Sequence, residues 1–471
     1  MIDPVAQMMG MQVPEENKQC WQGKRVMVLG LARSGVAVAQ LLCKCGATVL
    51  LSDKKTKEQL GDSVKALEDL NCEWFVGQGP EAAMEKADVL LISPGVPIDA
   101  PVVKMAQEKG IPVTGELEVA AQLCAGLQVA LTGTNGKTTT VSLLGEIFRA
   151  AGKIAHVAGN IGYPLSAAAM ESAQDDAVVV EVSSFQLETT KDFHPRVAAV
   201  LNLTPDHLNR HYTMENYAAV KRHIFDCQTE NDVAVLNYDD AACRDMAKGL
   251  KAKVAWFSRK EELAEGAFVR DGQIVLRWKN DEKIVCPTQE VFIPGPHNLE
   301  NALAAAMMAY AAGVPAPVIR YVLRTFKGVE HRIEPVRDLD GVRWYNDSKG
   351  TNVDSTIKAV ETMTAPTVLI LGGSDKGTPF DELAEVIVKS GQIKDVVLCG
   401  ATGPKIEKAL LDAGYTAIHH AKTYEETVKM CRELAVEGGN VLLSPACASF
   451  DMFSDYEQRG RIFKDLVNNL K

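Results

Sequence analysis

Gln128-Val-Ala-Leu-Thr-Gly-Thr-Asn-Gly-Lys-Thr-Thr139 reads as a buried strand running straight into a glycine turn, with a helical pattern from Val141 to Ala151 behind it. Glycines let backbone amides turn toward an anion, and the N-terminus of the following helix adds a partial positive charge. Lys137 is placed to reach the outer phosphates of a nucleotide, and the Thr138 hydroxyl to sit on magnesium. The common form of this loop has one more glycine where this chain has Leu131, so the loop is a shortened variant. A tight strand–helix turn with an incidental lysine is the plain alternative, and it leaves the coincidence of strand, glycines, Lys137 and Thr138 unexplained. A nucleotide loop serves switches, motors and transferases alike, so the residues around it must decide the reaction.

Working outward, apolar strand-like runs alternate with amphipathic helical patterns, the signature of an α/β fold with largely parallel sheets. Three domains are expected: a Rossmann-like N-terminal domain over residues 1–115, a central P-loop ATPase-type domain over 116–328 and a Rossmann-like C-terminal domain over 329–471. The first carries strands Arg25–Gly30, Thr48–Asp53 and Asp88–Ser93, with a helix from Val36 to Cys45. The second adds Ala177–Glu181 and Ala198–Asn202 to the nucleotide strand. The third carries Thr367–Leu371, Asp395–Leu398 and Asn440–Ser444, and closes in a helix from about Tyr456. Met1–Gln19 reads as a loosely ordered lead-in.

The 471 residues are nearly half apolar and one quarter charged, ordinary for a globular chain with several cores. A net charge of −11 disfavours non-specific binding to nucleic acid or anionic lipid, which both need a positive field. Any anionic substrate must be met by local basic groups. The eleven cysteines are scattered without a metal-type cluster, which suits reduced thiols in the cytoplasm. No apolar run is long enough for membrane insertion, and no signal peptide is recognisable.

Downstream of the loop, Glu181 closes a strand beside it. A carboxylate there is placed to hold magnesium, directly or through water, although a solvated strand-end charge is the competing reading. Asp206 and His207 fall just beyond the neighbouring strand and lean the same way. On spacing alone Lys221 is an exposed helix lysine. Asn298 and Asn301 share a helix face and suit either a nucleotide base or a helix cap. The third block opens on His331-Arg332 and offers a polar loop after Trp344. Its glycine loop Gly372–Gly377 carries Lys376, suited to a carboxylate or phosphate, and Ser449 can donate to an anion. Cys447 lacks an activating partner and reads as a buried, inert thiol.

Taken together, the segments GTNGKTT, EVSSFQLE, NLTPDHLNRH, AAVK, HNLENALAA, HR, NDSKGTN and SPACASFDMFSDYEQRGRIF resemble the Mur ligase family, in the family's order and across nearly the whole chain after residue 20. Within it, DSKGTN and SPACASFDMF are most similar to the branch that adds D-glutamate. The arginine-containing recognition motif of the branch adding the third residue is absent. Folylpolyglutamate synthetases share the central block but lack this N-terminal domain. One departure is Asn209, where the family often has Asp.

The resemblance implies ATP-dependent ligation of D-glutamate to UDP-N-acetylmuramoyl-L-alanine through an acyl phosphate, in cytoplasmic peptidoglycan precursor synthesis, by a chain expected to be monomeric. It implies an ATP site of Gly133, Thr134, Asn135, Gly136, Lys137, Thr138, Thr139, Asn298, Asn301, Arg332, Asp347 and Lys349. Two magnesium ions would be held by Thr138, Glu181 and His207, together with Lys221 once carbon dioxide has carbamylated it. Lys137, Glu181, His207 and Lys221 would be the catalytic group. Arg33, Ser34, Asp53, Lys54, Ser93, Asn160 and His207 would hold the UDP-linked substrate, and Thr351, Lys376, Ser449, Phe450 and Tyr456 D-glutamate. The first glycine turn, Gly30-Leu-Ala-Arg-Ser-Gly35, then needs no dinucleotide: Ala32 stands where a close backbone approach to a pyrophosphate requires glycine. Three rivals remain. A sister ligase would add another amino acid, a nucleotide switch would hydrolyse ATP without an acceptor, and an NAD-dependent dehydrogenase would leave the phosphate loop unused.

Overall fold

The computed structural model describes residues 15–375 and 377–471, so Lys376, expected to meet D-glutamate, lies outside the described residues. The protein is α/β with three sheets. The first contains β1 (Arg25–Leu29), β2 (Thr48–Asp53), β3 (Cys72–Val76), β4 (Val89–Ile92) and β5 (Val113–Gly115), in the order β3-β2-β1-β4-β5 and parallel throughout. Its strands are continuous apolar runs because helices cover both faces. The helix expected from Val36 begins at Arg33 and runs to Lys44. Gly35 in its first turn hides that turn from an apolar periodicity.

The second sheet contains β6 (Leu127–Thr132), β7 (Ala155–Gly159), β8 (Ala177–Glu181), β9 (Val197–Val200), β10 (Val233–Asn237), β11 (Lys253–Ser258), β12 (Gly266–Arg270), β13 (Gln273–Trp278) and β14 (Asp281–Pro287). Their order is β14-β13-β12-β11-β10-β9-β6-β8-β7. The phosphate-loop strand β6 thus lies between β9 and β8, whose ends carry the other candidate groups. The sheet is largely parallel, as expected, and adds an antiparallel edge, β12–β14, that the sequence reading did not foresee. Asp271 and Gly272 both take positive φ, 50° and 72°, and turn β12 back into β13. That is the geometry Asp-Gly favours in a two-residue hairpin.

The third sheet contains β15 (Glu334–Leu339), β16 (Val342–Asn346), β17 (Thr367–Leu371), β18 (Ile393–Cys399), β19 (Ile418–Ala421) and β20 (Asn440–Leu443), in the order β15-β16-β20-β17-β18-β19. Among the described strands of this sheet, only the β15–β16 pair is antiparallel. Separate apolar clusters form on this sheet, one around Leu369 and Ile387 and another around Trp344 and Phe463.

The chain divides into two compact units, one reaching to Val291 and adding Glu300–Thr325, the other made of Phe292–Leu299 and Phe326–Lys471. Within the first unit, one apolar core joins the first two sheets: Leu41 and Leu42 share it with Leu165 and Ala168. The lead-in is also partly structured. Glu15–Gln19 is a short helix, and the Asn17 side-chain amide donates to Gln122 O at 2.7 Å. Among the described residues no helix is long and apolar enough to cross a membrane.

Candidate active site

The phosphate-type turn is set by two glycines. Gly133 has φ 155°, and Gly136 adopts φ 82° in the left-handed region as it caps the helix Lys137–Ala150. A Cβ on Gly136 would come within 2.2 Å of Asn301 Oδ1, so the loop and Asn301 are in close contact. Thr140 Oγ1 donates to Gly136 O at 2.9 Å and to Asn301 Oδ1 at 3.3 Å. Asn202, beyond the end of β9, braces the other side: its Oδ1 accepts from Asn135 N at 2.9 Å and its backbone O accepts from Thr134 N at 3.1 Å. Thr138 and Thr139 are buried in the first helical turn.

Two lysines converge on this turn. Lys137 Nζ donates to Gly133 O at 2.9 Å and to Thr134 O at 2.7 Å. Lys221 Nζ donates to the same Gly133 O at 3.0 Å and to Thr132 Oγ1 at 3.3 Å, and lies 4.6 Å from the centroid of the Tyr217 ring. Lys221 is only 1% exposed, which corrects the exposed-helix reading drawn from spacing. Burial, and then the charge of Lys137, drive its pKa well below the ordinary lysine value, with Asp206 and Cys243 opposing.

Glu181, at the end of β8, is 2% exposed. Its Oε1 accepts from Asn160 Nδ2 at 3.0 Å, while Oε2 is buried without a hydrogen-bond partner among the described residues. A buried carboxylate oxygen left unpartnered is costly, and oxygen is the donor that magnesium prefers. Hence Glu181 fits a hard cation. His207 takes φ 52°, and its ring packs on Phe185 with centroids 4.8 Å apart. Its Nε2 lies 3.5 Å from Asp206 Oδ2.

The first glycine turn has a different character. Asp53 Oδ2 accepts from Leu31 N at 2.8 Å, and Oδ1 from Lys55 N at 2.9 Å. Ser93 Oγ donates to Leu29 O and Gly30 O at 3.0 and 3.1 Å. Arg33, Lys54 and Asn160 are exposed and Ser34 is half-buried. A Cβ on Gly162 would lie 3.3 Å from Arg33 Nη1, which brings Arg33 beside the loop that follows Asn160.

In the second unit, Asp347 is fully buried. Its Oδ2 accepts from Ser444 Oγ at 2.7 Å, and Arg332 Nη1 lies 3.9 Å from Oδ1. Burial pushes the Asp347 pKa up to about 6, although Arg332 and Ser444 act against that rise. Lys349 Nζ sits 5.6 Å from the centroid of the Tyr456 ring. Thr351 is half-buried, Ser449 buried and Phe450 72% exposed. Asn298, also buried, donates through Nδ2 to Pro294 O at 2.6 Å. Cys447 is buried, its thiol pKa raised by that burial, as the inert-thiol reading expects.

Several site neighbours escaped the sequence reading. Asn202 had a usable signal, a polar residue at a strand end beside the loop. Tyr217 under Lys221 is visible only in three dimensions. So is Arg459, buried and donating to Ser348 Oγ and to the carbonyls of Ser348 and Cys447. Glu330, His331 and Glu334 cluster closely enough to suggest a metal, but Lys464 already pairs with both glutamates, at 2.5 and 2.9 Å.

Comparison with known proteins covers all three sheets. Residues 24–115 match the Mur ligase MurD-like N-terminal domain, 131–309 the Mur ligase middle domain and 331–447 the Mur ligase glutamate ligase domain. The chain is 47% identical over 452 residues to the UDP-N-acetylmuramoylalanine--D-glutamate ligase of Thermoanaerobacter sp. (strain X514), covering 96% of this chain and 99% of that one. The protein of the same name from Alkaliphilus oremlandii (strain OhILAs) is 46% identical, with coverage of 95% and 99%. Among solved structures, MurF from Acinetobacter baumannii shares the fold at a TM-score of 0.63 and 15% identity, over 98% of this chain and 100% of that one.

Proposed function

The chain belongs to the Mur ligase family, and from that premise we propose that it uses ATP to join D-glutamate to UDP-N-acetylmuramoyl-L-alanine in peptidoglycan precursor synthesis. The observation that carries this reading is the pair of lysines meeting at Gly133 O, with a buried glutamate on the paired strand β8 that has one oxygen unpartnered among the described residues. That is an arrangement for gathering several anionic groups at one point.

The chemistry needs it. The alanyl carboxylate attacks the γ-phosphorus of ATP, ADP leaves, and an acyl phosphate results. The D-glutamate amine then attacks the acyl carbon, loses a proton, and phosphate departs. The first step brings two anions together, so screening and positioning supply most of the catalysis. Lys137 swings from the loop carbonyls to the nucleotide phosphates. Glu181, Thr138 and His207 would hold magnesium, which would supply neutralisation of phosphate charge. Burial and the charge of Lys137 favour the neutral form of Lys221, and a neutral amine is the form that adds carbon dioxide. Its carbamate supplies a negatively charged oxygen ligand where the sequence places a lysine.

The remaining assignments follow the same division. Residues 1–115 hold the UDP-linked substrate through Arg33, Ser34, Asp53, Lys54, Ser93 and Asn160. Residues 116–328 hold ATP, aided by Asn298 and Asn301 and, from the third domain, by Arg332, Asp347 and Lys349. Residues 329–471 hold D-glutamate through Thr351, Lys376, Ser449, Phe450 and Tyr456. The protein works in the cytoplasm as a monomer. Phosphate release from ATP and magnesium with UDP-N-acetylmuramoyl-L-alanine tests the reading. Release that depends on D-glutamate, with a product heavier by one glutamyl unit, is the expected result. Dependence on another amino acid moves the chain to a sister activity, and release indifferent to any amine restores the switch.

A further inference from the structure

The segment that carries His207 also reaches into the first sheet. Arg210 is largely buried, with 13% of its side chain exposed, and its whole guanidinium is engaged. Nε and Nη2 donate to Glu188, the latter at 2.5 Å. Nη1 donates to Pro94 O at 3.0 Å and Nη2 to Val96 O at 3.1 Å. The guanidinium carbon lies 4.1 Å from the centroid of the Phe185 ring, the same ring on which His207 packs. At the other end, the lip Ser93–Val96 is anchored by Ser93 Oγ on the carbonyls before and within the first glycine turn. One side chain therefore connects the loop of His207 with the lip bearing Ser93.

A plain buried ion pair between sheets is weak evidence of anything but packing. Here two of the three N–H groups not used by Glu188 go to carbonyls of the lip, not to the core. The cavity behind the lip, lined by Pro94, Glu116, Phe185 and Thr189, is about 10 Å³, room for a single water and so little slack. Only a planar five-donor fork meets a carboxylate and two carbonyls at once. Tyr212 adds a separate, exposed tie to Asp99 at 3.0 Å.

We infer that Arg210 is a positioning residue for the UDP-linked substrate: it locks the Ser93–Val96 lip in place against Phe185 and His207. This rests on the reading that Ser93 and His207 face that substrate. The test compares the full chain with Arg210→Lys, Arg210→Met, Glu188→Gln and Tyr212→Phe in steady-state kinetics, thermal melting and calorimetric binding of UDP-N-acetylmuramoyl-L-alanine. Arg210→Lys should raise KM and Kd for that substrate tenfold or more. KM for ATP should stay within twofold and the melting midpoint within a few degrees, while Tyr212→Phe shifts neither constant more than twofold. Unchanged KM, or parallel losses for ATP and the UDP substrate with a lowered melting point, would overturn the inference. If both Arg210 variants fail to fold, Glu188→Gln decides by the same split. A wild-type chain that binds the UDP substrate but does not ligate D-glutamate sinks the proposed reaction while the binding arm still judges Arg210. A wild type that does not bind it overturns both.

Discussion

Two glycine turns in the same unit look alike in sequence and differ in charge. Each leaves a parallel strand, bends through positive φ at glycine (Gly30 in the first, Gly133 and Gly136 in the second) and opens a helix. At the first, Asp53 places a carboxylate on the turn and accepts the Leu31 N–H, while its other oxygen accepts from Lys55 N. At the second, Lys137 and Lys221 place two nitrogens on one carbonyl. The second turn thus offers two nitrogens to a triphosphate, while at the first a carboxylate already takes up the Leu31 N–H. Glycine spacing therefore specifies a backbone shape, while the neighbours brought in by other strands and helices decide which ligand that shape serves.

The largest effect should come from the second turn. Lys137→Ala should lower D-glutamate-dependent phosphate release by about 10²–10³-fold, the usual loss of a charge-stabilising donor. KM for the UDP substrate should hardly move. An equal loss from Arg33→Ala would break the contrast between the turns.

Lys221→Met should also abolish ligation, by about 10²-fold or more, yet stabilise the protein in carbon-dioxide-free buffer. The sign follows from the lowered folded-state pKa. Between that value and the ordinary 10.5, the unfolded chain carries a proton that the folded chain refuses. Wild-type stability therefore rises with pH through this window, and the methionine variant loses that slope. Denaturant melts at several pH values check it. A variant less stable than wild type at neutral pH would contradict a neutral buried amine.

Smaller effects separate the turns structurally. A Cβ at Gly35 would lie 1.9 Å from Gly30 O, a backbone atom that cannot step aside. Gly35→Ala should cost about 1–3 kcal/mol in denaturant melts. Gly136→Ala meets the Asn301 side chain and a left-handed φ, and should cost about 1–2 kcal/mol while weakening ATP binding. Asp53→Asn, which loses one of two amide acceptances, should cost about 1 kcal/mol and leave KM for ATP unchanged.

Much of this was legible in the chain. β2, β8 and β17 fall on the residues read as strands, because a fully buried parallel strand writes itself as an unbroken apolar run. The helix after each glycine turn was read late, since Gly35 and Thr138 carry no apolar period. The β12–β14 edge was missed although Asp271-Gly272 announces a hairpin.

Local sequence was enough for whatever depends on neighbours along the chain: the strands, the glycine turns, the lysine and hydroxyl at a helix N-terminus. It could not place Lys221, which by spacing belongs to a solvated helix face. The strand order that sets β6 between β8 and β9 buries that lysine against Gly133 and pairs Glu181 with Leu131 on the strand leading into the turn. Nor does spacing pair Arg210 with Pro94, more than a hundred residues earlier. Burial and pairing of charge are properties of the assembled sheet, where distant segments remove water and substitute their own oxygens and nitrogens. Tertiary structure therefore decided which of the legible residues act together.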